Sequence, residues 1–397
     1  MKNDCFYFPE LGVAKSDTFS KIYPAVNYYL FTQKEYQPSR DGNVKEALDF
    51  KTQLTNPYRR CVGGYQRDIN VFFLLAEAMW IALGRKDVGF LTLFNKKMAD
   101  FSDDGKVFHA PYGFRLRHWG IRAEDDFREN LGSNKGYDQV VDAIKILSEN
   151  PNSRQVVMEI WNPNFDLGHK TKDIPCNDIV MLKIRDGKLI TTIGNRSNDL
   201  HWGLPTNVFQ FSFLTELMAG AIGVELGTQT HNSQSLHIYE WNTIAKTMCE
   251  AFEKTDGKGI NLYDVASERH IDFNFNFETA AAKFCEIDYH LSIIIDNLIR
   301  LYQGEQPIEA EIEQIAKFST YLYKVYQLLK IYLEYKLKIS VLKNDDEKDM
   351  ARLTAISEIE VLEVDGNYSG WDITTLAKNF FTARLLNQSE SSYLGKL

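Results

Sequence analysis

At 397 residues the chain is longer than one hydrophobic core usually serves, so a large domain with an appendage is expected. Apolar residues make up 44% and the formal net charge is −9, which excludes a chain-wide basic surface for nucleic acid but leaves room for a local basic pocket. Five scattered cysteines, Cys5, Cys61, Cys176, Cys249 and Cys285, show no C-x-x-C spacing, so a reducing compartment and no metal site are expected.

In chain order, Met1-Lys2-Asn3-Asp4-Cys5 lacks the charged-then-apolar profile of a signal peptide. No apolar run approaches the ~20 residues of a membrane span, so a cytoplasmic protein with no membrane partner is expected. Residues 1–37 are aromatic-rich and read as an irregular segment whose Tyr23, Tyr28, Tyr29 and Phe31 pack onto the main domain. Ser39-Arg40-Asp41-Gly42 is a turn signal carrying an arginine. Ile69 to Leu83 is apolar almost all round and stops at Gly84, which predicts a buried helix with a glycine C-cap. Its single carboxylate is Glu77, and a buried carboxylate is costly unless partnered or functional.

Asp87 to Phe101 reads as one further helix, Asp138 to Leu147 as another, and Arg154 opens a strand over 155–161. Cys176 lies just ahead of a β-branched run, Ile179 to Ile184; Asp186-Gly187 reads as a two-residue turn and Lys188 to Gly194 as the returning strand. This hairpin brings Cys176 beside Arg196-Ser197. A nucleophile next to fixed positive charge suits covalent catalysis on an anionic substrate, and the guanidinium is expected to lower the thiol from its ordinary pKa of about 8.5. Asn207 to Ile222 predicts the core helix, with Asn207 either its N-cap or a carboxamide offering both a donor and an acceptor. His237 and Tyr239, two apart at the end of a strand, share one face. Residues 277–302, 308–342 and 373–386 read as helices without a chemical motif, and Lys343 to Asp349 as a charged linker or helix face.

The motifs Asn152-Ser153-Arg154, Pro175-Cys176, Arg196-Ser197-Asn198-Asp199, Gly203-Leu204-Pro205 and Leu236-His237-Ile238-Tyr239, in this order and spacing, resemble the core of thymidylate synthases and their relatives, the pyrimidine nucleotide hydroxymethylases. The resemblance covers roughly residues 38–245. It implies an α+β fold, a mixed sheet flanked by helices, in a catalytic domain of 38–255; outside the resemblance, the residues themselves read as a segment 1–37 packed on that domain and a helical C-terminal extension over 256–397. It implies one-carbon transfer to C5 of a pyrimidine nucleoside monophosphate from 5,10-methylenetetrahydrofolate, with no metal. Cys176 would attack the base. Glu77 and Asn207 would stabilise charge at its O4 edge, and Tyr112, in Ala110-Pro111-Tyr112-Gly113, would position a water. Arg40, Arg154, Arg196 and Ser197 would hold the phosphate, Arg59 and Arg60 being rivals to Arg40. His237 and Tyr239 would meet the sugar, and Asp199 and Gly203 the folate. A homodimer with Arg154 crossing the interface is implied too.

Departures from the synthase pattern bear on the product. Gln155 replaces the second of two adjacent arginines, Asn177 stands where synthases have histidine, Met98 falls where they place a shielding tryptophan, and the short closing C-terminal segment gives way to unrelated sequence. Asn207 favours a uracil-type base, since cytosine presents the reverse hydrogen-bond pattern; Ser197 favours a deoxyribonucleotide. The expectation is 5-hydroxymethylation of dUMP. The alternatives are methylation by a thymidylate synthase, and a catalytically retired nucleotide-sensing or partner-binding module.

Overall fold

Alternating apolar residues build one mixed sheet, and the long apolar helices cover it. The computed structural model describes residues 6–8, 11–62, 69–125, 136–254, 273, 276–364 and 372–385. The described strands are β1 (Phe6–Phe8), β2 (Val13–Ser16), β3 (Gln37–Ser39), β4 (Gly42–Leu54), β5 (Val157–Glu159), β6 (Asn177–Arg185), β7 (Lys188–Asn195), β8 (Asn198–Asp199) and β9 (Glu225–Tyr239). They run β1-β2-β4-β9-β7-β6-β5, with β3 on β4 and β8 on β9. The long β9 pairs antiparallel with β4 but parallel with β7 and β8, which makes the sheet mixed. The β6–β7 hairpin turns through Asp186 and Gly187 at φ 52° and 69°, the doubly left-handed turn whose twist matches that of the strands.

The helices are α1 (Phe19–Thr32), α2 (Val71–Ala82), α3 (Val88–Phe94), α4 (Tyr112–Arg117), α5 (Gln139–Glu149), α6 (Pro163–Asp166), α7 (Gly203–Ile222), α8 (Thr243–Lys254), α9 (Ala280–Tyr302), α10 (Glu309–Phe318), α11 (Thr320–Val341), α12 (Asp345–Val364) and α13 (Asp372–Leu385). The α+β architecture with a helical C-terminal region is the one expected. No described helix is long and apolar enough to cross a membrane.

Several local expectations are corrected. Residues 19–32 are a helix rather than irregular chain, although Pro24 lies inside it; packing overrides propensity, with Tyr23 and Val26 fully buried. The helix expected over Asp87–Phe101 breaks at Asn95, whose extended backbone (φ −144°, ψ 103°) ends α3, while its side chain caps a separate 3-10 turn, Lys96–Phe101, that carries Met98. The strand expected over 155–161 is paired only across Val157–Glu159. The 308–342 run is two helices, because Ser319 is extended and its hydroxyl accepts from Leu322 N to start α11.

The main apolar cluster of the described residues runs from Ala14 to Phe381, so the C-terminal helices share the core of the sheet domain. Phe72 on α2 stacks on Tyr332 of α11 at 4.4 Å between centroids and meets Phe380 and Phe381 of α13 at 5.5 and 5.6 Å. The Arg117 guanidinium donates to Ala82 O (2.7 Å), Asp138 (2.8 Å) and Asp288 (2.6 Å), which locks α2, α4, α5 and α9 together. The boundary expected at 255/256 lies outside the described residues.

Candidate active site

The hairpin does what its sequence implies. Asn177 pairs with Asn195, so the residues flanking that pair, Cys176 and Arg196, are returned to each other, with Arg196 N donating to Cys176 O at 3.1 Å. The guanidinium is fixed by Pro175 O (2.8 Å) and Ile174 O (3.1 Å), lies over Trp161, and holds Nη2 3.7 Å from Cys176 Sγ. The expected lowering of the thiol is nonetheless overturned. Burial pushes the Cys176 thiol up and outweighs the pull of Arg196, with Asp173 and Asp178 adding to the rise. Those two carboxyls are themselves raised to about 6 by burial.

Tyr112 stands behind the thiol. Gly113 lets α4 abut α2, for a Cβ there would fall 2.0 Å from Ile81 O. The phenol is hydrogen-bonded to the Cys176 backbone and to the Asn177 side chain, and burial pushes it well above the usual tyrosine range. The loop before it is pinned by a buried ionic cluster, in which Asp166 accepts from Arg115 (3.0 Å) and faces His109 (3.1 Å). Hydrogen bonds to Asp166 and then Glu124 raise His109 to about 9, so it is charged.

Asn207 is not the N-cap of its helix. The helix starts at Gly203 after Trp202, so Asn207 lies a turn inside, buried, with its carboxamide turned toward β6 and β8. Its Oδ1 accepts from Asn177 Nδ2 (3.1 Å) and its Nδ2 donates to Asn198 Oδ1 (3.3 Å). Asn195 Nδ2 donates to Asn177 Oδ1, and Asn198 Nδ2 to Ser233 Oγ at 3.2 Å. Asn195, Asn198 and Ser233, which complete this hydrogen-bonded chain, were not among the residues singled out from sequence. A signal existed: polar side chains at inward positions of buried strands interrupt the apolar alternation.

Asp199 opposes His237 across the β8–β9 ladder, and its carboxylate accepts from His201 N (2.8 Å) and Trp202 N (3.3 Å). Gly203 lies against this group, since a Cβ would stand 3.2 Å from Asn198 Oδ1. His237 and Tyr239 are half-buried with rings 5.4 Å apart, edge to face. Trp241 stacks on Tyr239 at 5.0 Å and donates to Asp41 O at 3.3 Å, which carries the Arg40 turn to this mouth; Trp241 was not foreseen either. Burial, then the charges of Asp199 and Asp41, push the Tyr239 phenol up, while Arg40 opposes them. Arg40 itself is open, its side chain 74% exposed beside Asp41. Ser197 is half-buried next to Arg196.

The rival arginines are engaged elsewhere. Arg60 forms a buried ion pair with Glu216 at 2.7 Å, and Arg59 pairs with Asp17. Arg154 is exposed and is not brought to Cys176 by any contact among the described residues. Glu77 is half-buried on α2 with Oε2 shut off from solvent and unpaired; burial raises its carboxyl to about 8, against a hydrogen bond with Gln210.

The structure thus sets the Cys176 thiol against the Arg196 guanidinium, with the Asn207 carboxamide, an acceptor and a donor, hydrogen-bonded to the neighbouring Asn177. The family model described as thymidylate synthase matches residues 65–296, more than half of the chain, and the chain belongs to the thymidylate synthase family. The match starts after Arg40 and reaches into α9. Among curated relatives, deoxyuridylate hydroxymethyltransferase of Bacillus phage SP01 is 44% identical over 202 residues, 50% of this chain and 51% of that protein. The protein of the same name from Pseudomonas phage M6 is 36% identical over 233 residues, covering 58% and 62%. Thymidylate synthase 1/2 of Encephalitozoon cuniculi is 38% identical over 128 residues, 32% and 42%. The chain thus spans about half to three fifths of the length of the two phage relatives.

Proposed function

We propose that this chain transfers a one-carbon unit to C5 of dUMP and releases 5-hydroxymethyl-dUMP, with methylenetetrahydrofolate as the donor. The observation that carries the reading is the adjacency of Cys176 and Asn177, which sets the Asn207 carboxamide next to the nucleophile. The base is supported by Asn207, whose remaining lone pair and N–H complement N3–H and O4 of uracil. The product is supported by the two phage relatives, both named deoxyuridylate hydroxymethyltransferase, and by Asn177.

Cys176, reacting as the thiolate once its proton has passed to solvent, forms the bond to C6, and the electron pair displaced from C5=C6 develops as an enolate at O4. Asn207 donates toward that oxygen, and Glu77, protonated at neutral pH, supports the same edge as a donor. C5 then takes the donated carbon. The Tyr112 phenol stays protonated, so it orients the water that accepts the C5 proton rather than acting as the base. Loss of that proton would expel tetrahydrofolate and leave an exocyclic methylene; water then adds to the methylene, and the thiolate leaves C6 to restore the double bond. Arg40, Arg196 and Ser197 hold the phosphate, and His237 and Tyr239 the sugar. The Asp199 carboxylate, fixed by two backbone N–H groups beside the 41%-exposed Trp202, suits the N–H edge of a pterin above Gly203.

Release of tritium from C5-labelled dUMP tests the reading, since it needs the thiol and the C5 proton acceptor but no particular product. Release that depends on methylenetetrahydrofolate and disappears in Cys176→Ser is expected. No release from the parent, or release undiminished in the variant, would overturn it.

A further inference from the structure

Four buried carboxamides, Asn207 and three around it, all point the same way. Asn195 donates to Asn177, Asn177 to Asn207 (3.1 Å), Asn207 to Asn198 (3.3 Å), and Asn198 to Ser233 (3.2 Å). Asn177, Asn195, Asn198 and Ser233 are at most 2% exposed and Asn207 6%, so water does not compete for these contacts. An isolated asparagine turns its amide over at little cost, exchanging donor for acceptor. Here a turned Asn207 would set its Nδ2 against the Nδ2 of Asn177, a buried mismatch, and its Oδ1 against the Oδ1 of Asn198, a second one unless Asn198 turns with it.

We propose that this directed relay, and not Asn207 alone, sets base specificity: Asn177 and Asn198 are positioning residues that fix which atom of the Asn207 carboxamide faces N3 and which faces O4. The inference rests on the proposed uracil-nucleotide function. Asn177 is the controlling member. Its Oδ1 serves Asn195, and its side chain also meets the Tyr112 hydroxyl, so both neighbours hold its own orientation. Asn198 only has to accept from Asn207, and the Ser233 hydroxyl can rotate to suit either partner.

The relay makes opposite predictions for two isosteric changes. In Asn177→Asp the acceptor for Asn195 survives but the donor to Asn207 is lost. Asn207 then turns over, and the pocket presents the cytosine pattern. In Asn198→Asp the acceptor for Asn207 survives, and the pattern is kept.

The experiment is calorimetric binding of dUMP and dCMP to the full chain and to Asn177→Asp, Asn177→Leu and Asn198→Asp, with turnover on both nucleotides. The ratio of dUMP to dCMP affinity should fall at least about tenfold in Asn177→Asp, collapse toward unity in Asn177→Leu, and stay on the parent's side in Asn198→Asp. The leucine variant covers the case in which the carboxyl introduced by Asn177→Asp stays protonated and still donates. A merely structural role would lower both affinities together and leave the ratio intact. The relay is overturned if both Asn177 variants bind nucleotide with the parent's ratio, or if Asn198→Asp reverses the preference as strongly as Asn177→Asp. A parent that binds neither nucleotide overturns the reading of the site itself, and the relay's role with it.

Discussion

Cys176 sits in a conflict between desolvation and a guanidinium 3.7 Å away, and in the free protein desolvation prevails. Below its raised pKa the thiolate fraction grows about tenfold per pH unit, so alkylation of Cys176 by iodoacetamide, followed by peptide mass spectrometry, should steepen across pH 7–9. Arg196→Met removes the group that pulls the thiol down, and should move that profile to higher pH; an unmoved profile would mean the guanidinium does not act on the sulfur.

Glu77 gives a second titration with a definite sign. Its folded carboxyl holds a proton to about 8, against an ordinary 4.5, so between those values the folded state binds more protons than the unfolded. Stability therefore falls as pH rises through that window, at up to ~1.4 kcal/mol per unit. Glu77→Gln has no proton to lose. Relative to the parent it should gain stability in urea unfolding from pH 5 to pH 8 while losing turnover. A constant difference between the two proteins would contradict the buried acid.

At the scale of elements, α2 carries Glu77 but is held from outside the catalytic motifs. The Tyr332 hydroxyl donates to Phe94 O at 3.2 Å, and Phe72 is ringed by Tyr332, Phe380 and Phe381. Phe381→Ala should cost about 3–5 kcal/mol in equilibrium unfolding. Arg117→Met should cost a similar ~3–5 kcal/mol, because it strands Asp288, whose carboxyl burial already pushes up.

These elements also show what the sequence could tell. The β6–β7 hairpin was legible because alternation and an Asp-Gly turn fix its register, and the register alone returns Arg196 to Cys176. The helical start at Gly203 was not, because Asn207 is as good a cap as a pocket residue and only the packing of α7 on the sheet decides. The net rise of the thiol was hidden for the same reason: a guanidinium is visible in sequence, whereas burial is a property of the assembled fold. Arg59 and Arg60 stood as rivals to the favoured Arg40 until their partners, Asp17 and Glu216, were placed by tertiary contacts more than forty residues away.

For the molecule as a whole, the C-terminal helices complete the core of the sheet domain. Arg60 and Glu216 are covered by Tyr321 of α11, whose phenol burial pushes up. Removing residues 303–397 would uncover Phe72, Phe94 and this ion pair together, so the truncated chain should lose its cooperative thermal transition. A truncated chain that melts like the parent would show the extension to be independent of the core. Arg154 is exposed, and we propose a homodimer in which it serves the partner's phosphate. Mixed dimers of Arg154→Ala and Cys176→Ser subunits should then regain activity that neither variant has alone.

The most direct measurement is the mass of the nucleotide formed from dUMP and methylenetetrahydrofolate, together with the oxidation state of the folate released. A nucleotide heavier by one formaldehyde unit, with tetrahydrofolate returned and no dihydrofolate absorbance, is the expected result. A methylated nucleotide with stoichiometric dihydrofolate would contradict the hydroxymethyl product, and unchanged dUMP would contradict the C5 chemistry altogether.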